Sequence, residues 1–296
     1  MPRILIAGCG YVGAATADLF HASGWEVEGW TGSTESAAQL AAKVPYKVRA
    51  VDLTSRDAVS AARTDVDALI LSASSRGGDA EAYRSIYFGA AQNLLANFPG
   101  VPLLFTSSTS VYAQAAGEWV TELSAAEPDR ETARVLRETE DLVLNNGGAV
   151  ARLAGIYGPG RSALLRKFMR GDAVIGPDSD RYVNQIHRDD IASALLLIAT
   201  HALQTPAAAT GDTPARIYNV SDNHPLSQRA CYEWLAEHLQ RSLPPTSNRA
   251  GTRKRGNSNK RVSSDKLHAL GWTPRYPTFA AGMSESVIPQ LGQLGA

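Results

Sequence analysis

Three glycines near the amino terminus carry the first chemical signal in this chain. Gly8, Gly10 and Gly13 stand in Gly8-Cys9-Gly10-Tyr11-Val12-Gly13, just after the apolar run Arg3–Ala7 and just before a helical pattern. A glycine turn between strand and helix turns the helix's unpaired N–H groups, and the positive end of its dipole, toward an anion. Gly8 permits the tight turn. Gly10 lets backbone approach a pyrophosphate without a Cβ in the way, and Gly13 lets the helix pack closely on its strand. The spacing together with its context predicts a dinucleotide site, to which Tyr11 and Val12 at the helix start also belong.

About 20 positions further on, at the end of the second strand, NAD-specific sites carry an acidic residue for the ribose 2′-hydroxyl. Here that place reads Trp30-Thr31-Gly32-Ser33-Thr34. No carboxylate would repel a 2′-phosphate, and hydroxyls such as Thr31 and Ser33 could donate to one, so NADP is expected over NAD. Glu28 inside the strand and Glu35 in the next helix remain the acids that could compensate. Asp52, after the third strand, is a candidate for the adenine amino group, or equally a helix cap ahead of Thr54. Ala73, after the fourth strand, completes the candidate cofactor contacts.

These residues need a scaffold, and the apolar pattern supplies one. The strand candidates are Arg3–Ala7, Trp25–Trp30, Lys47–Val51, Ala68–Ser72, Leu103–Ser107 and Ala149–Leu153. Helical stretches Tyr11–Ala22, Ala80–Asn97 and Arg130–Leu144 lie between them, and Asn145-Asn146-Gly147-Gly148 reads as a helix end and a turn. Such alternation predicts a doubly wound parallel Rossmann sheet in an α/β fold. A dinucleotide-binding domain is expected over residues 1–155, with 184–203 packing back onto it. Residues 156–296 should form mainly a smaller α/β substrate domain, with a strand near Ile217–Val220 and a helix near Ser227–Gln240.

Four further segments carry a family resemblance. FTSSTSVY (105–112) resembles the active-site strand of the extended short-chain dehydrogenases, the NAD-dependent epimerase/dehydratase family. RLAGIYGPG (152–160), VNQIHRDD (183–190) and IYNVS (217–221) resemble the family's later motifs, in the family's order. The resemblance implies a nicotinamide cofactor and a hydroxyl at the end of the fifth strand that hydrogen-bonds the reacting oxygen. On the SSxxVY pattern that residue is Ser108, with Ser107 and Thr109 as neighbours one position away.

The resemblance also implies a Tyr acid/base with a Lys four residues on, and here the chain departs from it. Aligned on Glu140, those slots fall on Thr132 and Leu136, and only Tyr157 has any base four positions on, Arg161. Tyr157 is then a candidate substitute acid or a packing residue, in equal measure. Tyr112 lies on a loop of the same kind, and His187 reads better as a structural residue than as a catalytic one. Sugar-nucleotide members often carry Asn where this chain has Gly155. The pattern matches the atypical branch of the family. It points to an NAD(P)(H)-dependent oxidoreductase or epimerase/dehydratase-like enzyme with a non-standard acid/base arrangement, acting on a small polar, hydroxylated or sugar-like substrate. The alternative is a catalytically inactive dinucleotide-sensing protein of the same fold.

Bulk properties narrow the partners. Lys and Arg total 29, as do Asp and Glu, so the neutral chain has no footprint for nucleic acid or an anionic membrane. No apolar run is long enough to span a bilayer and no secretory h-region is seen, so a cytoplasmic location is expected. Cys9 and Cys231 have no metal-ligand spacing, and no metal is expected. Arg249, Arg253, Lys254, Arg255, Lys260 and Arg261 form a basic run that reads as a solvated loop or a grip on an anionic substrate. The family resemblance further implies a homodimer through helices flanking the sheet.

Overall fold

Short runs of aliphatic and β-branched residues become the strands of one sheet. The computed structural model describes residues 1–75, 77–205, 213–248 and 258–293. Strands β1 (Arg3–Ala7), β2 (Glu26–Thr31), β3 (Lys47–Ala50), β4 (Ala68–Leu71) and β5 (Leu103–Ser108) form parallel pairs, β1 with β2 and β4, β2 with β3, and β4 with β5. Ala149–Leu153 and Ile217–Val220 extend the sheet beyond β5, so the order is 217–220, 149–153, β5, β4, β1, β2, β3. The sequence predicted six strands here. The seventh, expected in the smaller domain, is an edge strand of the same sheet.

The order reverses between β1 and β4, the switch point beside which doubly wound sheets bind ligands. Register fixes which edge that is. Ala7 lies opposite both Trp30 and Leu71, and Leu71 lies opposite Phe105. The carboxyl ends of β2, β1, β4 and β5 therefore share one edge, where Thr31 and Ser108 end their strands and Gly8 and Ala73 follow theirs. Residues 4–7 and 68–71 are almost wholly buried, as strands covered on both faces must be.

Helix α1 (Tyr11–Ala22) follows the glycine turn, and α2 (Thr34–Ala41) is capped by Ser33, whose Oγ accepts the Ser36 N–H. The helix expected over 80–97 is helical throughout but not uniformly so. A π-helical stretch, Arg84–Gly89, separates the α-turns Ala80–Tyr83 and Ala90–Asn97. The helix Glu131–Asn145 buries Ala133, Leu136, Thr139, Glu140 and Val143. It ends at Gly147 in the left-handed region (φ +74°), and a Cβ on Gly148 would overlap the Leu103 carbonyl.

One buried ion pair ties this helix to the sheet. Arg152 donates from Nε to Glu140 Oε1 at 3.0 Å and from a terminal nitrogen to Oε2 at 2.6 Å; Ser107 Oγ donates to Oε1 at 2.6 Å. Glu140 is 0% exposed and Arg152 1%.

Contacts divide the chain into two units. The first comprises residues 1–111, 126–152 and 191–218, and the second 112–125, 153–190 and 219–296. Residues 112–125, which the sequence reading placed with the dinucleotide-binding part, belong to the second unit. So do 184–190, while 191–203 join the first. The second unit holds three two-stranded pairs: Gly155–Tyr157 with Gln185–His187, Tyr182–Val183 with Leu226–Ser227, and Trp119–Val120 with Arg261–Val262. Tyr157, Leu165, Phe168, Tyr232, Leu235 and Phe279 form its core with their neighbours. Arg249, Arg253, Lys254 and Arg255 of the basic run lie outside the described residues. No described helix is long and apolar enough to cross a membrane.

The ion pair yields a stability prediction. Glu140→Leu leaves Arg152 buried without a counter-charge and should cost about 3–5 kcal/mol in urea unfolding. Pairing it with Arg152→Met should recover part of that loss. A single variant as stable as wild type would remove the pair from the account of this fold.

Candidate functional site

The turn after β1 is built from backbone. Gly8 and Cys9 both donate their N–H to the Trp30 carbonyl, at 3.0 and 2.7 Å, which pins the end of β2 beside the turn. Gly8 sits at φ +98°, and a Cβ there would collide with the backbone of Ser72 and Ala73. A Cβ on Gly13 would strike the Gly8 carbonyl. These two glycines serve the packing of turn, helix and β4. Gly10 differs, because a Cβ there would meet nothing within 4 Å. The space beside Gly10 is open, and α1 begins there with no side-chain cap and no acid in its first turn. An uncapped twelve-residue helix end facing open space fits a pyrophosphate. Gly8, Gly10, Tyr11, Val12, Gly13 and Ala73 are thus brought together as the sequence reading placed them. The Cys9 thiol beside them packs toward Gly29, and burial pushes its pKa up to about 12, so it is inert near neutrality.

At the end of β2, Thr31 Oγ1 donates to the Ser33 carbonyl at 3.1 Å, and Ser33 caps α2. Glu28 does not reach this corner. It stands in mid-strand opposite Leu5, only 7% exposed, and accepts from Trp30 Nε1 (2.7 Å), Lys47 Nζ (2.9 Å) and Arg49 (3.3 Å). Those three donors consume the carboxylate, and no periodicity in the sequence announced the two cations. Glu35 is exposed and accepts from Gln39. Asp52 Oδ1 accepts from the N–H and the hydroxyl of Thr54 and so closes a local turn; the helix that follows, Arg56–Ala61, is capped by Ser55, whose Oγ accepts the Ala58 N–H, so Asp52 is not the helix cap.

At the end of β5 the pleat separates two serines. Ser107 turns inward to Glu140, whereas Ser108 is only half buried and its Oγ accepts from the Ser110 N–H at 3.1 Å. Thr109 is buried in the turn that follows. Of the three adjacent hydroxyls, Ser108 is the one left at the edge. On the helix Glu131–Asn145, Thr132 is half buried and Leu136 is buried. The nearby arginines are engaged, Arg134 with the Pro128 carbonyl and Arg137 with Asp141 at 2.6 Å.

The second unit corrects the aromatic candidates. Tyr157 is 2% exposed and belongs to the core. Its hydroxyl lies 3.4 Å from the Thr278 carbonyl, and a Cβ on Gly282 would overlap it. Burial, reinforced by the charges of Asp222 and Asp190, pushes its pKa well above the usual phenol range. A phenol held this firmly in its neutral form within the core is a packing residue, not a substitute acid/base. Tyr112 is likewise buried, its hydroxyl within bonding distance of Asn219 Oδ1 and the Thr121 carbonyl.

His187 is fully buried beside the Tyr157 and Tyr276 rings. Its Nδ1 accepts the Asp189 N–H, so Nε2 carries the proton and donates to Ser286 Oγ at 3.0 Å. Burial lowers its pKa to about 4, and the structural reading of this histidine follows. Asp190 accepts the N–H groups of Arg275 and Tyr276 with its pKa raised to about 6 by burial. Asp222, held up at about 7 by burial, accepts from the His224 N–H.

Comparison with known proteins bears on this arrangement. The model of the NAD dependent epimerase/dehydratase family matches residues 4–220. Protein YeeZ of Escherichia coli strain K12 is 30% identical over 293 residues, covering 94% of this chain and 97% of that protein. A Methylobacillus flagellatus protein, solved as a candidate NAD-dependent epimerase/dehydratase, is 28% identical, with a TM-score of 0.74 over 96% of this chain and 97% of its own. dTDP-glucose 4,6-dehydratase of Bacillus anthracis, solved with NAD, shares the fold at 16% identity, with a TM-score of 0.78 over 98% of this chain and 96% of its own.

The buried acids make a prediction with a definite sign. Asp222 titrates at about 7 when folded, while an unfolded Asp titrates near 3.9, so between these values the folded state holds the extra proton. Stability from this group is present at low pH and falls as pH rises toward 7. Asp190 acts in the same direction and His187 in the opposite one, but both are common to wild type and Asp222→Asn. The difference in urea-unfolding free energy should therefore move in favour of Asp222→Asn, by up to about 1.4 kcal/mol per pH unit across that window. A difference independent of pH would contradict the burial assigned to Asp222.

Proposed function

Since the chain belongs to the NAD dependent epimerase/dehydratase family, we propose that it is an NADP(H)-preferring enzyme of that family, moving hydride to or from a hydroxylated carbon of a small polar or sugar-like substrate. The observation that carries this reading is the pair of features on one sheet edge: the open, uncapped helix start at Gly10 and the half-exposed Ser108. Gly10, Tyr11, Val12 and Gly13 would hold the pyrophosphate by backbone. The exposed Ser33 and Thr34 would face the 2′-phosphate, with the buried Thr31 hydroxyl committed to the Ser33 carbonyl, at a corner from which Glu28 is withdrawn by Lys47 and Arg49. The nicotinamide, when bound, supplies the hydride acceptor or donor. Ser108 would donate a hydrogen bond to the reacting oxygen and hold it in line.

The proton needs a separate account. Thr132 is too weakly acidic, Leu136 cannot titrate, and Tyr157 is locked in the core. Solvent, or a basic group carried by the substrate, then takes the proton as hydride leaves and returns it in the reverse direction, with Ser108 orienting the oxygen. The buried apolar Leu136 also favours a second reading, a dinucleotide-sensing protein that keeps the cofactor site without turnover.

Two experiments test these readings. Gly10→Val introduces a branched side chain into open space, so the protein should fold with unaltered thermal stability yet lose dinucleotide affinity by a hundredfold or more in calorimetry. Wild type should prefer NADP over NAD. Equal binding by Gly10→Val would remove the cofactor site from this turn, and a tenfold preference for NAD would return an acid to the ribose. The second is a screen of hydroxylated and sugar substrates, sugar nucleotides included, followed by absorbance of the reduced nicotinamide. Ser108→Ala should lower turnover about 10²-fold, and Thr132→Val far less. Tight dinucleotide binding with no turnover on any substrate would favour the sensor.

A further inference from the structure

Three stretches of the second unit meet around one guanidinium. Arg261 lies opposite Trp119 in the parallel pair formed by Arg261–Val262 and Trp119–Val120. Its Nε donates to the Gly117 carbonyl at 2.8 Å. Its central carbon stands 5.2 Å from the centre of the Trp119 ring and 5.0 Å from that of Tyr182. The same stretch holds Tyr182 in place, because Asn259 Oδ1 accepts the Tyr182 N–H at 3.0 Å. Gly117 adopts φ +82°, and a Cβ there would come within 3.4 Å of the Tyr182 ring, so the turn closes against the aromatic.

An exposed arginine is normally a weak anchor, since binding must first freeze its rotamers. Here Nε is already committed and two rings hold the guanidinium, leaving its terminal nitrogens pre-aimed. Among the described residues no carboxylate pairs with it. Lys260, the preceding residue, repeats the pattern: it is 6% exposed, donates to the Tyr112 carbonyl at 2.8 Å, and has no ion pair among the described residues. Burial pulls its pKa down to about 8, against the pull of Glu118. Glu118 accepts from the Ala116 N–H and makes no ion pair with either cation. Trp119 and Tyr182 keep 46% and 36% of their surface in water, so aromatic surface stays open on both residues that flank the guanidinium.

We propose that Arg261, Trp119 and Tyr182 form a binding site for a small ring compound bearing a phosphate or carboxylate, built from none of the residues of the glycine turn. The guanidinium edge takes the anion as a fork, which a Lys could not do. The exposed aromatic surfaces take the ring, by stacking or by contact with sugar C–H groups. The site does not depend on the dinucleotide reading.

Calorimetry on the full chain tests it, with phenyl phosphate, glucose 1-phosphate, glucuronate, inorganic phosphate and glucose as probes. At least one ring-bearing anion should bind tenfold or more tightly than inorganic phosphate, and glucose alone should bind less tightly still. Arg261→Gln should lower that affinity tenfold or more, and Arg261→Lys should not restore it. Trp119→Ala, at an exposed position that tolerates truncation, should erase the advantage of the ring while inorganic phosphate still binds. Gly10→Val should leave all of these affinities unchanged, which separates this site from the dinucleotide site. Absence of heat with every probe, affinities unaltered in Arg261→Gln, or ring anions no tighter than inorganic phosphate would each overturn the proposal.

Discussion

The buried carboxylate of Glu140 is the constraint on which the edge of the sheet depends. A fully buried charge is tolerated only when its lone pairs are satisfied, and Glu140 meets that demand with the Arg152 fork and the Ser107 hydroxyl. Three elements are thereby fixed: the helix Glu131–Asn145, the strand Ala149–Leu153 and β5. With Ser107 committed inward, the two-residue period of a strand turns Ser108 the other way. A one-residue slip of β5 would turn Ser107 to the edge and bring Ser108 or Thr106 to Glu140 in its place. The ion pair adds less to raw stability than to specifying which serine stands at the edge.

The same economy appears in the glycine turn, where three glycines that look equivalent have different physical roles. Gly8 and Gly13 are required by the protein itself, because their missing Cβ atoms would collide with the Ala73 backbone and the Gly8 carbonyl. Gly10 is not, since nothing in the fold occupies the space beside it. A glycine that the fold does not need, at the mouth of an uncapped helix, leaves room for the pyrophosphate proposed there. The Trp30 carbonyl, accepting from both Gly8 and Cys9, keeps the β2 corner beside that mouth.

In the second unit, desolvation decides the chemistry of the polar residues. Tyr157, His187, Asp190 and Asp222 would look like an acid/base cluster if only their types were known. Burial holds each toward its neutral form, and backbone groups or Ser286 satisfy their polar atoms. The result is a polar lining of the core. Arg261 is the contrast, half buried yet charged, with its geometry fixed from three sides.

The sequence by itself determined the architecture and the dinucleotide turn. Both are written in local signals: apolar runs of strand length alternating with helical periodicity, and glycines whose conformational freedom is needed at fixed spacing. Strands Arg3–Ala7, Ala149–Leu153 and Ile217–Val220 and helix Tyr11–Ala22 were legible to the residue for that reason. Which sheet the strand Ile217–Val220 joins was not legible, because strand pairing is a long-range contact with no local signature. Only the tertiary structure decided the fate of side chains whose meaning depends on partners far away in sequence. Glu28 meets Lys47 and Arg49 across strands, Ser107 meets Glu140 33 positions on, and Tyr157 meets Thr278 121 positions on. Residue type sets what a group can do in water. Whether a carboxylate, a phenol or a guanidinium is free to do it is set by burial and by which donors arrive beside it, and those are properties of the folded chain.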